Sequence, residues 1–458
     1  MHGGSPLETS KRRAAFLQYS DEPSAPSVLH RLARLAFGVW ILLSLCTSSL
    51  RYSYLSWWPL WQLGEIGGGP VVVGALSLLP LLASGFWLLA NLRDRRVVRA
   101  SPSGVMLPFL LLTLIGVVGV IAAPTWPGAL HAVQFGLAWF VYLFAREEPV
   151  PPALLAVVLV VQGGVASAQF LLQRDLGLRV LGELALSVGQ SGTSVLAARG
   201  QPWLRSYGLT AHPNLLGAML AVVILLLLPA YRRAWQRRQI PIVAGLSAAL
   251  LVGSIGLLAS FSRAAWLALA AGVIWRGVAQ RRRREPADRA GGAYWLLLLL
   301  PALVFLVFYY DLVLSRVLTL DSPLEMQSIQ QRLGDARLAL QLAAQQPWRG
   351  VGLGNYLQAA EALNPAAARV HNVPLLVLAE MGAIGLAAWL WLALAPFAAA
   401  WRERVPVERL APWLAMLVVS QLDLTLWPGG NWQTAILFGL IAAHLDQRRR
   451  AQPPQASS

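Results

Sequence analysis

Cysteine is nearly absent from this chain: Cys46 is the only one in 458 residues. That excludes an intrachain disulfide and any metal site built from thiolates. Lysine is just as scarce. Of 37 basic residues only Lys11 is lysine, so a single arginine says little by its presence and much by its position. Charge of either sign is thin, at 13% of residues against about 25% in soluble domains, while 57% of residues are hydrophobic. A soluble globular class is thereby excluded, and an integral membrane protein is indicated. The first 30 residues contain Lys11, Arg12 and Arg13 but no apolar core. No cleavable signal peptide is evident, so the first spanning helix is expected to act as an uncleaved anchor.

What the chain has in abundance is apolar runs long enough to cross about 30 Å of hydrocarbon. The pattern predicts an all-α membrane protein with twelve spans, at about 32–50, 70–90, 104–123, 128–145, 153–173, 212–231, 240–259, 262–277, 293–310, 372–397, 410–427 and 431–446. With the N-terminus cytoplasmic, 26 basic residues fall inside and 11 outside, nine of the latter in two long loops. That asymmetry obeys the positive-inside rule and predicts both termini in the cytoplasm. It also answers the net charge of +16, which invites a nucleic-acid partner: runs such as Arg281–Arg284 read as topology anchors instead. Tryptophans such as Trp57, Trp126 and Trp432 sit near span ends, as an interfacial belt does. The expected organisation is a polar tail at 1–28, a membrane domain at 29–447 and a tail at 448–458. Within the membrane domain two long outer loops are expected, at 174–211 and, between the ninth and tenth spans, at 311–371. In the second loop QRLGDARLALQLAAQ predicts a helix with Leu333, Ala336, Leu340 and Ala343 on one stripe.

On that topology polar residues collect at one membrane depth on the outer side. RSYGLTAHPN brings Arg205, His212 and Asn214 to the start of the sixth span, and FSRAAW brings Ser262 and Arg263 to the eighth. PWRGVGLGNY contributes Gly352, Gly354 and Asn355, and His371–Asn372 opens the tenth span, with Gly382 after nine further residues. Each has a plain alternative. Arg263 reads as a ligand for substrate or as a snorkelling interfacial anchor. His212 before Pro213 reads as a helix-start residue or a catalytic one. The glycine run reads as a tight turn or as backbone that approaches a phosphate. Two histidines without a carboxylate at ligand spacing do not make a metal site. Glu380 and Asp423 fall inside expected spans, where carboxylates are functional candidates or partners of an arginine. Glu380 lies about 13 Å along the helix from His371 at 1.5 Å per residue, too far to pair with it. Asp423 lies near the outer end of its span.

Three of these pieces together resemble the O-antigen ligase and O-antigen polymerase (Wzy-type) family of polytopic membrane glycosyltransferases. FSRAAWLALAAGVI resembles its Ser-Arg helix start, RLGDARLALQLAAQQPWRGVGLGNY its loop helix running into a glycine-rich turn, and HNVPLLVLAEMGAIGL its His-Asn-x9-Gly motif. The resemblance covers about residues 200–400. It implies a GT-C-like helical fold in the bacterial cytoplasmic (inner) membrane, with the active site facing outside. It implies transfer of a glycan from an undecaprenyl diphosphate donor to an acceptor hydroxyl, without a metal or other cofactor. Arg205 and Arg263 would match diphosphate-binding arginines and His371 the essential histidine. His212, Asn214, Ser262, Arg337, Gly352, Gly354, Asn355, Asn372 and Asp423 would line the substrate. The expected partners are the lipid-linked donor, a glycan or lipid-linked acceptor and membrane lipid, with no nucleic acid. Polymerase and ligase share the motif. A different class, a transporter or flippase of lipid-linked sugars or anions, also suits twelve spans with intramembrane carboxylates. It predicts internal repeats and polar groups at the midplane, whereas this chain shows no clear repeat and places its polar groups at the outer edge.

Overall fold

The computed structural model describes residues 27–47, 61–66, 69–73, 78–93, 101–198, 200–282, 289–317 and 323–447. The expected tails, apart from residues 27 and 28, lie outside the described residues, as do Arg51, Arg283 and Arg284. In chain order the helices are α1 (Val28–Cys46), α2 (Leu78–Arg93), α3 (Met106–Ala122), α4 (Trp126–Glu147), α5 (Pro152–Leu172), α6 (Pro213–Gln236), α7 (Ile240–Ala259) and α8 (Arg263–Arg282). There follow α9 (Arg289–Phe308), α10 (Tyr310–Val317), α11 (Pro323–Gln345), α12 (Tyr356–Leu363), α13 (Val373–Trp401), α14 (Leu410–Leu422) and α15 (Trp432–Asp446). Two antiparallel ribbons interrupt the helices, β1 (Trp61–Ile66) with β2 (Gly69–Val73) and β3 (Val195–Ala198) with β4 (Gln201–Leu204). The second ribbon lies in the expected first outer loop, so that loop is folded and not purely irregular.

Each of the twelve expected spans overlaps a helix, though the one at 70–90 begins on β2 and its helix starts only at Leu78, and length and hydropathy qualify fewer of them. Among the described residues α1, α4, α5, α6, α7 and α13 are long and apolar enough to cross a membrane. The pair Tyr294–Phe308 and Tyr310–Arg316, bent by 98°, makes a seventh if counted as one span. The shortfall has physical causes. Helices α2, α3, α14 and α15 have 13 to 17 residues, short of the about 20 a perpendicular crossing needs. Helix α8 carries Arg276, Arg281 and Arg282 in its second half.

Helix α6 is the centre of the bundle. Its sequence, NLLGAMLAVVILLLL, is apolar on every side, and a helix without a polar face must be surrounded. Helices α5, α7, α8, α9, α14 and α15 all pack on it, and 89% of its apolar window is buried. Whatever stands at its N-terminus is therefore held at the middle of the molecule.

Helix α13 is broken at Gly382, whose φ of 67° and ψ of −167° lie in a region open essentially to glycine alone. A break frees backbone groups that must find partners. The turn Pro347–Gly352 supplies them. Val351 N donates to Ala379 O at 2.9 Å, Gly352 N to Glu380 O at 2.8 Å, and Ala383 N reaches Pro347 O at 2.8 Å. The approach is too close for side chains: a Cβ on Gly350 would stand 2.3 Å from the Glu380 carbonyl carbon, and one on Gly382 2.2 Å from that of Trp348. The Glu380 carboxylate, buried, accepts from Tyr356 N at 3.3 Å and so caps the start of α12. The glycine-rich run is thus a turn zipped onto a helix break.

Of the stripe expected on α11, Ala343 alone is fully buried, and Ala336 is half-buried. Leu333 and Leu340 are 54% and 51% exposed, while Asp335, Ala339, Leu342 and Ala343 are buried. Small residues let α11 lie close against α13, and Asp335 has work on that side. Its carboxylate accepts from Ala368 N at 3.0 Å and its carbonyl from the Tyr356 hydroxyl at 2.9 Å. Hydrogen bonding chose the face over side-chain size.

Gly382→Ala is expected to destabilise the protein by about 1–3 kcal/mol for the backbone alone, with the steric clash added. Ile384→Ala, on an exposed position of the same helix, is the control. Thermal unfolding in detergent checks it: equal midpoints for the two variants would contradict the zipped break.

Candidate active site

The β3–β4 ribbon delivers Arg205. Its pairing ends at Leu204, and the next two residues tie the chain down, with Arg205 N donating to Ser194 O and Ser206 N to Ala259 O. The guanidinium is 4% exposed and spread over its surroundings. Nε donates to Ser260 O at 2.9 Å, one terminal nitrogen to Ser194 Oγ at 3.0 Å, and the other to Asn214 Oδ1 at 2.7 Å. Asn214, buried in the first turn of α6, passes the contact on: its Nδ2 donates to Asp423 Oδ2 at 2.6 Å. Asp423 follows the last residue of α14 and is buried. Beyond it stands His371, with Nδ1 3.7 Å from Asp423 Oδ2. That separation is too long for a hydrogen bond but within ion-pair reach. The imidazole is 37% exposed while the Asp423 side chain is 7% exposed. Four residues from three parts of the chain thus form one line, running from a buried arginine to a histidine open on one side.

Asp423 Oδ2 thus meets the Asn214 amide on one side and the His371 imidazole on the other.

Helix ends explain several other sequence candidates. His212 is the N-cap of α6, and its Nδ1 accepts from Asn214 N at 3.1 Å. Ser262 is buried before α8 and its hydroxyl accepts from Ala265 N at 3.4 Å. Asn372 caps α13 by accepting from Leu375 N at 2.9 Å, and its Nδ2 donates to Gln421 O at 3.1 Å, two residues before Asp423. Asn372 therefore fastens the His371 end of α13 to the Asp423 end of α14. Gly352, Gly354 and Asn355 lie elsewhere, in the turn on the α13 break. Asn355 Nδ2 donates to Val351 O, and its Oδ1 accepts from Thr125 Oγ1 before α4. Arg337 is exposed on α11.

Arg263 opens α8, half-buried, and donates to Arg316 O at 3.4 Å. Arg316, on α10, donates through Nε to Phe261 O at 3.2 Å, and Arg205 reaches that same carbonyl at 3.4 Å. Two guanidiniums, those of Arg205 and Arg316, thus meet at the Phe261 carbonyl, and Arg263 is tied to the backbone of Arg316. Sequence reasoning missed Arg316 because nothing in DLVLSRV announces the bend that brings α10 back. Among the described residues no three His, Cys, Asp or Glu side chains are grouped to hold a metal ion.

Asp423→Asn tests the contact. It takes the charged acceptor from the Asn214 amide, a loss of about 1–3 kcal/mol, and is expected to lower the thermal unfolding midpoint in detergent. A midpoint equal to the parent's would contradict the line of contacts.

No curated protein matches the chain. Residues 246–390, from within α7 to the middle of α13, match the O-antigen ligase family model. The matched segment includes Ser262, Arg263, the glycine-rich turn, His371 and Gly382, and leaves Arg205, Asn214 and Asp423 to either side. Over residues 246–390 the chain therefore carries a domain similar to the O-antigen ligase family.

Proposed function

We propose that the protein transfers a glycan from a polyprenyl diphosphate donor to an acceptor hydroxyl at the outer face of the bacterial cytoplasmic membrane. The observation that carries this reading is the half-exposed His371 backed by the buried Asp423. A neutral imidazole at a helix mouth can take the proton of an acceptor hydroxyl. With the proton of Nδ1 toward Asp423, Nε2 is the basic atom. The aspartate stabilises the imidazolium formed, the division of labour of a nucleophile-activating triad. The acceptor oxygen attacks the anomeric carbon, the bond from that carbon to the diphosphate oxygen breaks, and the hydroxyl proton passes to His371. One displacement inverts the anomeric centre.

Charge builds on the departing diphosphate, and fixed guanidiniums in a partly dry site stabilise it more than they stabilise the bound donor. Arg263, at the N-terminus of α8 with Arg316 beside it, is the proposed diphosphate ligand, since a planar fork suits phosphate oxygens. Arg205 has a different part in this proposal. Its bonds to Ser194, Ser260, Phe261 and Asn214 make it a positioning residue, which sets Asn214 and through it Asp423. The mechanism uses no metal. Polymerase and ligase differ only in the acceptor.

His371→Ala is expected to lower transfer about 10²–10⁴-fold with membrane insertion intact; near-normal transfer would remove His371 from the base role. Arg263→Lys should also lose most activity, because a point charge does not replace a fork. Full activity there would support an interfacial anchor. Deleting the gene and resolving surface polysaccharide on a gel separates the acceptors. Single repeats without long chains indicate a polymerase, and accumulated lipid-linked polymer indicates a ligase. Unchanged glycan overturns the reading in favour of transport.

A further inference from the structure

The two histidines of the site are not equivalent, and hydrogen bonding separates them. A backbone amide can only donate, so the bond from Asn214 N to His212 Nδ1 at 3.1 Å makes Nδ1 an acceptor that carries no proton. The neutral ring then has its one proton on Nε2. Protonating Nδ1 would set two N–H groups against each other, so the helix cap itself holds His212 in this form. The rest of the residue is equally fixed. Its carbonyl accepts from Leu215 N, Leu216 N and the Thr210 hydroxyl. The buried Tyr207 stands edge-on to the imidazole, with ring centroids 6.2 Å apart. Among the described residues no hydrogen bond uses Nε2, and the residue is exposed. His212 therefore presents an oriented N–H donor at the mouth of α6.

A general base needs a free lone pair, and that of His212 is engaged in the cap. The contacts around it say what the donor faces. Two residues on, Asn214 accepts from Arg205 and donates to Asp423, which stands against His371. On the other side Arg205 shares the Phe261 carbonyl with Arg316, and Arg263 follows two residues later. His212 thus lies between the guanidiniums around Phe261 and the imidazole of His371. In the proposed transfer the diphosphate is held by the first group and the attacking hydroxyl by the second, so the breaking bond lies between them.

We infer that His212 donates its Nε2–H to the diphosphate oxygen that leaves the anomeric carbon, and is not a second base. The inference rests on the proposed transferase reading. The hydrogen bond is shared with the developing anion and no proton is given up. The proton of the acceptor hydroxyl still passes to His371, and the electron pair of the broken bond stays on the diphosphate. A fixed donor aimed at developing charge acts as an oxyanion hole does. The N-terminus of α6, a helix of 24 residues, adds positive partial charge at the same place.

His212→Asn separates this role from the cap. Asparagine is among the best N-cap residues, but its side chain ends short of the position of Nε2. In the full-length protein in nanodiscs the variant should keep the parent's thermal midpoint and lose about 10²-fold in kcat, with donor KM little moved. Inhibition by farnesyl diphosphate, a short-chain stand-in for the leaving group, should weaken about tenfold or more. His212→Ser, which also caps, serves where the asparagine variant does not fold. Parent kcat in either variant makes His212 a cap alone and overturns the inference. So does a raised donor KM with kcat unchanged, which would place the contact on the bound donor and not on the leaving charge. A parent that transfers no glycan, yet binds farnesyl diphosphate more tightly than His212→Asn does, sustains the donor and refutes the transferase. Transfer by the parent, with farnesyl diphosphate held equally by parent and variant, refutes the donor alone. A parent that neither transfers nor binds the diphosphate overturns both.

Discussion

The amide of Asn214 is the contact on which the site depends. It accepts from Arg205 and donates to Asp423, so each end of one small side chain meets a charged group of the matching kind. Hydrogen bonds with an ionised partner are roughly twice as strong as neutral ones, and here they are buried. The asparagine stands in the first turn of α6, the helix enclosed on all sides. A group placed there can move only if the bundle moves. Asp423 is thereby held still behind His371, and the histidine keeps its orientation without a tight bond of its own.

Much of this was legible in the sequence, and the legible part has a common character. His371, Asn372, Ser262 and His212 interrupt apolar runs at helix starts, where side-chain polarity is needed to cap free amides. The eye finds them because the surrounding pattern is regular. The helices were readable for the same reason. What stayed hidden depends on partners distant in sequence. Arg205 looks like any arginine of an arginine-rich chain until Ser260 and Asn214 close around it. The glycines of 350–354 suit a turn and a phosphate cradle equally well, and only the break at Gly382 decides for the turn. On α11 the reading set Leu333 and Leu340 on one stripe with Ala336 and Ala343, while in the fold both leucines are exposed and Asp335, whose carboxylate accepts from Ala368 N, lies on the buried face. The number of crossings could not be read either, because short helices can be apolar without being long enough.

His371 stands at the mouth of α13, beside the aspartate that follows α14, and the buried Glu380 lies further along, just before the break. The family match covers α8 and this segment of α13, whereas Arg205, Asn214 and Asp423 come from outside it. The matched domain alone therefore does not complete the site.

The break at Gly382 also divides α13 mechanically. The residues from Val373 to Met381 form a short peg clamped by the turn Pro347–Gly352, and the residues beyond Gly382 form a separate rod. Bilayers differ in thickness, and a spanning helix answers by tilting. The rod can tilt about the glycine while the peg, bound to the turn Pro347–Gly352, keeps its bearing. The His371 end of the helix is referenced to the protein and not to the lipid.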